Sequence, residues 1–139
     1  MSGILAYLLC SLLYASIAVY FWRRHWRPDA PGNTSAFERG AQHWVLLPLA
    51  IHSVLLFHST LGGGALYLGV GNALSLILWL TVLVYWTASL AHRLEGLQAL
   101  VLPVAAICAI APLAFPAPRP VPNAEFLAFK AHLLVSMLA

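Results

Sequence analysis

Charged residues are nearly missing from this chain. Asp, Glu, Lys and Arg make up only 8% of its 139 residues, where a soluble domain carries about 25%. That shortage excludes an ordinary water-facing globular surface. With 62% hydrophobic residues and a mean hydropathy of +0.86, the composition reads as a polytopic membrane protein. Acidic side chains are the scarcest, four in all, and none lies in the interior of an apolar run. A paired-carboxylate hydrolase therefore has no candidates, and a transporter built on an intramembrane Asp or Glu has none either. Cysteine is nearly absent too: Cys10 and Cys108 both sit in apolar runs, where a free thiol behaves as a small hydrophobe. Neither a disulfide nor a cysteine-type metal site is expected. The net charge of +3 comes from seven Lys and Arg mostly clustered in one loop, with no basic stripe interleaved with aromatics, so no nucleic-acid surface is expected.

What the chain does have is long apolar runs. Residues 3–22 form the first, with no internal charge, followed by Arg23, Arg24, His25, Trp26 and Arg27. A cleaved signal peptide carries its positive charge before the apolar core, so this order favours an uncleaved helix with its N-terminus outside. Tyr7, Ser11 and Tyr14 fall on one stripe of it, a helix-packing face. Residues 28–40 are a turn-rich loop. Residues 41–61 form the second run, where Pro48 predicts a kink one turn from His52.

The glycine-rich connection Gly62-Gly63-Gly64 to Gly71 is followed by no Lys-Ser or Lys-Thr and preceded by no strand, which excludes a phosphate-binding loop. In the third run, residues 72–91, Asn72, Ser75, Trp79 and Trp86 share a face more polar than lipid requires, so that face is expected to point into the bundle. Residues 97–115 make the fourth, with Pro103 and Pro112 and an Ala105/Ala109 small-residue contact. A stiff linker from Pro116 to Pro122 follows. The last run, residues 125–139, spans about 20 Å at the helical rise, against a hydrocarbon core of about 30 Å. The expected architecture is all-α: one membrane domain over residues 1–139, with four complete transmembrane spans, a truncated fifth, and more of the protein beyond.

Basic residues orient this bundle. Arg23, Arg24, Arg27, Arg39 and Arg93 lie in the first and third loops, against Arg119 and Lys130 near the second and fourth. This places the first and third loops in the cytoplasm of a bacterial inner membrane. The histidines are then sorted by depth. His25, His43 and His92 are interfacial. His52 is near mid-membrane, where an ionisable group is a functional candidate; its plainer reading is a neutral imidazole hydrogen-bonded to a neighbouring helix. His58 and His132 lie one to two turns below the outer surface, on segments leaving the glycine loop and the proline linker. Two neutral imidazoles on rigid helices in an apolar slot are what axial ligation of haem requires. The same pair also reads as unrelated residues on opposite sides of the bundle, because His52 and His58 project about 120° apart and only one of them faces in. No Ser-His-Asp set and no His-x-x-x-His spacing occurs, and no enzymatic activity is expected.

The order of Gly71-Asn-Ala-Leu-Ser-Leu-Ile-Leu-Trp79, Leu94-Glu-Gly-Leu-Gln-Ala-Leu-Val-Leu-Pro103, the linker from Pro116 and Ala131-His-Leu-Leu-Val-Ser-Met-Leu-Ala139 resembles the first half of the cytochrome c assembly family, with its CcsA, CcmC, HemX and YpjD types. The resemblance extends over essentially the whole chain. It implies a bundle of about eight helices, haem as the bound or transferred group, cytochrome c maturation proteins as partners, and a functional histidine at the outer end of the helix that holds His132, any second outer histidine of the pattern lying beyond Ala139; His52 and His58 are further candidate ligands by their depth alone. The tryptophan-rich periplasmic segment of the haem-delivering members is missing from these residues. HemX-type members imply a different role, control of tetrapyrrole synthesis without bound haem, in which a cytoplasmic partner docks at Arg23, Arg24 and Arg27.

Overall fold

The computed structural model describes residues 2–25, 40, 43–62, 65–92, 94, 96–117, 119–121 and 126–138, and among these every regular element is helical. The order is α1 (Ser2–His25), α2 (Leu46–Leu61), α3 (Val70–Ala91), α4 (Leu97–Ala109), α5 (Ala111–Ala114) and α6 (Leu127–Leu138). All four acidic residues and most of the first loop fall outside the described residues.

Among the described residues, three segments are long and apolar enough to cross a membrane: Gly3–Arg23, Val70–Ala91 and Leu97–Ala114. The second run differs from its expectation. Its helix begins at Leu46 and has 16 residues, shorter than the roughly 20 that span a bilayer; residues 41 and 42 lie outside the described residues. Pro48 sits in the first turn of α2, and its ring crowds the carbonyl four residues earlier, that of Trp44. The chain is helical at His43, turns at Trp44 and Val45 and is helical again from Leu46, so the expected break lies one turn before the proline. In the fourth run the break falls at Ile110, between α4 and the short α5 that carries Pro112 near its start. There the Ile110 amide turns back to Ile107 O at 3.3 Å.

The turn joining α3 to α4 depends on Gly96, whose φ of 94° lies in the left-handed region that glycine occupies without steric cost. It brings α4 back beside α3 and α1. The α1–α4 seam is built from small residues: Ala105 and Ala109 are wholly buried, and Ser11 Oγ donates to Ala106 O at 2.8 Å. Short side chains let the two backbones approach, and in lipid that close packing, not hydrophobic burial, is what holds helices together. Outward faces are largely apolar, with Leu12, Phe57 and Ile107 each more than 60% exposed, and the exposed Ser16, Thr81 and Thr87 hydroxyls bond back to their own helices at Leu13 O, Ile77 O and Val84 O.

The two ends of the bundle are separately tied. At one, the proline linker is pinned to the glycine-rich connection by Val121 N–H donating to Leu66 O at 2.7 Å, and Tyr67 N–H donates to Thr60 O at 2.7 Å. Gly71 opens α3 at this end so close to α5 that an added Cβ would lie 2.5 Å from Ala111 O and 2.6 Å from Phe115 O. At the other end, Tyr20 of α1 stacks on Trp44 with ring centroids 6.5 Å apart, and His43 meets Trp86 of α3 edge to face at 6.4 Å.

Candidate functional site

The interior contact of α1, α2 and α3 is polar. Tyr14 lies near the middle of α1 and is wholly buried, as are His52 of α2 and Ser75 of α3. His52 Nδ1 faces the Tyr14 hydroxyl at 3.4 Å, and the two rings meet edge to face at 5.8 Å. On the other side His52 Nε2 is 2.8 Å from Ser75 Oγ. One imidazole thus bridges three helices.

This chain of groups is satisfied in either direction. A neutral imidazole has one N–H donor and one bare nitrogen acceptor, whereas a hydroxyl both donates and accepts. Tyr14 O–H donates to Nδ1 while Nε2–H donates to Ser75, or Ser75 donates to Nε2 while Nδ1–H donates to Tyr14. In both tautomers each ring nitrogen has a partner, and neither is left to bind iron. The arrangement removes the cost of a bare polar group in an apolar interior, a cost of about 1–3 kcal/mol.

A second polar contact sits one helical turn away. Ser53 Oγ donates to Leu49 O at 2.8 Å and accepts from Trp79 Nε1 at 2.8 Å, and the same indole N–H reaches Leu49 O at 3.3 Å. Cys10 Sγ lies 3.5 Å from Pro48 O. Near the loop end, Asn72 Nδ2 donates to Ser59 O at 3.0 Å and Tyr67 O at 2.7 Å, clamping the last turn of α2 to the connection that follows it.

The other two candidate histidines lie outside this interior. His58, in the last turn of α2, is exposed and meets Phe57 edge to face with centroids 6.0 Å apart. His132 is exposed on α6, its carbonyl accepting from Ser136 Oγ at 2.8 Å. Among the described residues neither imidazole has a hydrogen-bond partner. The structure therefore separates the three candidates into one buried, doubly bonded imidazole and two exposed ones. Of the interfacial set, His92 is exposed and caps α3 through its amide to Ala88 O.

Asn72, Ser75 and Trp79 do face the bundle, as their shared stripe implies. What sequence reasoning missed is that His52 is the residue to which this stripe and the Tyr14 stripe both point. The signal was there: two polar stripes on separate helices, and one polar residue deep in a third.

The described residues contain no group of three or more His, Cys, Asp or Glu able to hold a metal ion. Fold and interior together define an all-helical protein of membrane type whose apolar core encloses a hydrogen-bonded polar cluster. No protein-family model, curated protein or solved structure matches the chain.

Proposed function

We propose that this chain is a haem-handling component of a bacterial inner membrane, acting in cytochrome c biogenesis, with His132 and His58 as the nitrogen donors. The observation that carries the reading is the Val121–Leu66 hydrogen bond. It joins the linker that leads into the His132 helix to the connection that leaves the His58 helix, so both histidines belong to segments tied at one end of the bundle. Both imidazoles are exposed, Phe57 meets His58 edge to face, and Phe126 and Leu127 at the start of the His132 helix are each more than 60% exposed. Nitrogen donors in apolar surroundings fit axial ligation of haem iron. Haem is the cargo here and supplies the iron centre of the mature cytochrome. The chain's own residues ligate it and shield it from water. His52 stays with the helix core in this reading, and the tied end faces outward, as the distribution of basic residues favours.

The test is the absorbance spectrum of the detergent-purified protein after exposure to haem, beside His132→Ala and His58→Ala. A Soret band in the parent that is lost or shifted in each variant supports the pair. Identical spectra in all three, or no bound haem in the parent, overturn it.

A second reading is favoured by the His52 and Asn72 contacts, in which polar side chains do no more than join helices. It is a regulatory or structural membrane subunit without haem, docking a cytoplasmic partner at the arginine-rich segment of Arg23, Arg24 and Arg27. Loss of a co-purifying protein when these arginines are reversed to Glu would favour it.

A further inference from the structure

A groove of about 390 Å³ runs along the outer side of the α1–α4 seam, away from the polar interior. Two local causes open it. On α1 the wall is small, with Ala15 and Ala18 in place of large side chains. On α4 it starts at Pro103, which has no N–H to donate to the carbonyl four residues earlier, and continues past the small Ala106. The lining is apolar apart from Ser11, whose hydroxyl is already bonded to Ala106 O.

The residues along α1 follow a strict i, i+4 series. Ser11, Ala15 and Val19 line the groove, and the exposed Arg23 follows one turn beyond Val19, about 40° round the helix from it. Trp22 stands at the mouth, half exposed. From Ser11 to Trp22 the helix rises about 16 Å, close to half of the roughly 30 Å hydrocarbon thickness. The groove thus has the length of one leaflet, an apolar floor, an aromatic residue at the depth where membrane proteins place their interfacial rings, and a guanidinium beyond it at headgroup level.

We propose that this groove holds one acyl chain of an anionic phospholipid, with the lipid phosphate paired to Arg23. Arginine matches phosphate with bidentate geometry, and a fixed concave wall on two helices gives the chain more contact than a smooth helix surface does. The site is separate from the histidines and does not depend on the haem reading.

The test is native mass spectrometry of the intact protein released from vesicles of equimolar phosphatidylglycerol and phosphatidylethanolamine. The parent is expected to retain one phospholipid, enriched in phosphatidylglycerol. Arg23→Gln is expected to keep a lipid but lose about fivefold of that enrichment, the size of one basic residue at a membrane surface. Val19→Phe, which fills the groove from an exposed position, is expected to lower retention about tenfold with the enrichment of any residual lipid unchanged. Arg23 is exposed and its replacement does not threaten folding, so that comparison stands even if Val19→Phe fails to fold. No retained lipid in the parent, equal enrichment in Arg23→Gln, or a lipid-free dimer packed through this face would each overturn the proposal.

Discussion

His52 Nε2 and Ser75 Oγ lie 2.8 Å apart across the α2–α3 contact, and both residues are wholly buried. Replacing Ser75 by Ala leaves a wholly buried ring nitrogen without the hydroxyl it pairs with. The expected cost is about 1 kcal/mol, within the range measured for interhelical hydrogen bonds in membranes. Unfolding in mixed micelles measures it, and the Ser75→Ala, His52→Ala pair should lose less together than the sum of the two singles. An unchanged midpoint in Ser75→Ala would deny the bond.

Because neither nitrogen of His52 is available, His52→Ala is expected to keep any haem spectrum of the parent while lowering stability. His132→Ala is expected to do the reverse. A Soret band lost in His52→Ala at a temperature where the protein remains folded would transfer the ligand role to the interior histidine.

Gly71 is constrained by neighbours, not by its own backbone angles. A Cβ there would press on the carbonyl oxygens of Ala111 and Phe115, at 2.5 and 2.6 Å, and these are backbone atoms that cannot rotate away. Gly71→Ala should therefore destabilise by about 1–3 kcal/mol, as overpacking does. Gly3→Ala, where a Cβ meets nothing within 4 Å, should be neutral or slightly stabilising in the same thermal melt. Equal melting temperatures for the two would show that α3 and α5 are further apart.

Asn72 holds the end of α2 to the following connection through two carbonyls. Asn72→Ala should speed amide exchange at Tyr67 and Val121, whose N–H groups pair to Thr60 O and Leu66 O beside the clamp, by about tenfold, which corresponds to a loss of about 1.4 kcal/mol in local opening. Unaltered protection at both amides would show that the backbone bonds hold the end unaided.

Cys10 is buried and Cys108 half-buried, both as free thiols in apolar helices. In sealed vesicles a membrane-impermeant maleimide should label neither, and both should react once the protein is denatured. Labelling of Cys108 in intact vesicles would place α4 in contact with water.

Much of the helical plan is local and was legible residue by residue. The third run was expected from residue 72 to 91 and is helical over Val70–Ala91, because an uninterrupted apolar stretch with no Gly or Pro after its first turn has no competing structure in which its backbone groups are paired. In the second run the proline's effect is legible but not its place: the chain is helical at His43, turns at Trp44 and Val45 and resumes as a helix at Leu46, because the ring of Pro48 crowds the carbonyl one turn before it.

The inward faces of Asn72, Ser75 and Trp79 were also legible, since polar residues at helical spacing in lipid have only the bundle interior to face. Which histidine accompanies them was not. His52 and His58 share one helix and differ by about 120° of rotation, and nothing within α2 itself favours one orientation over the other.

The sequence by itself determined the class: too few charges for a water-facing surface, and apolar helices long enough for a bilayer, both consequences of composition and 3.6-residue periodicity. Only the tertiary structure decided the roles of particular residues. It turned α2 so that His52 closes a hydrogen-bonded bridge between Tyr14 and Ser75 while His58 remains outside, brought Leu66 to Val121, and drew α4 against α1 to leave a groove that runs from Ser11 to Trp22. Those relationships join residues up to 95 positions apart, as Ser11 and Ala106 are. They depend on how helices rotate and pack against one another, which no stretch of sequence specifies alone.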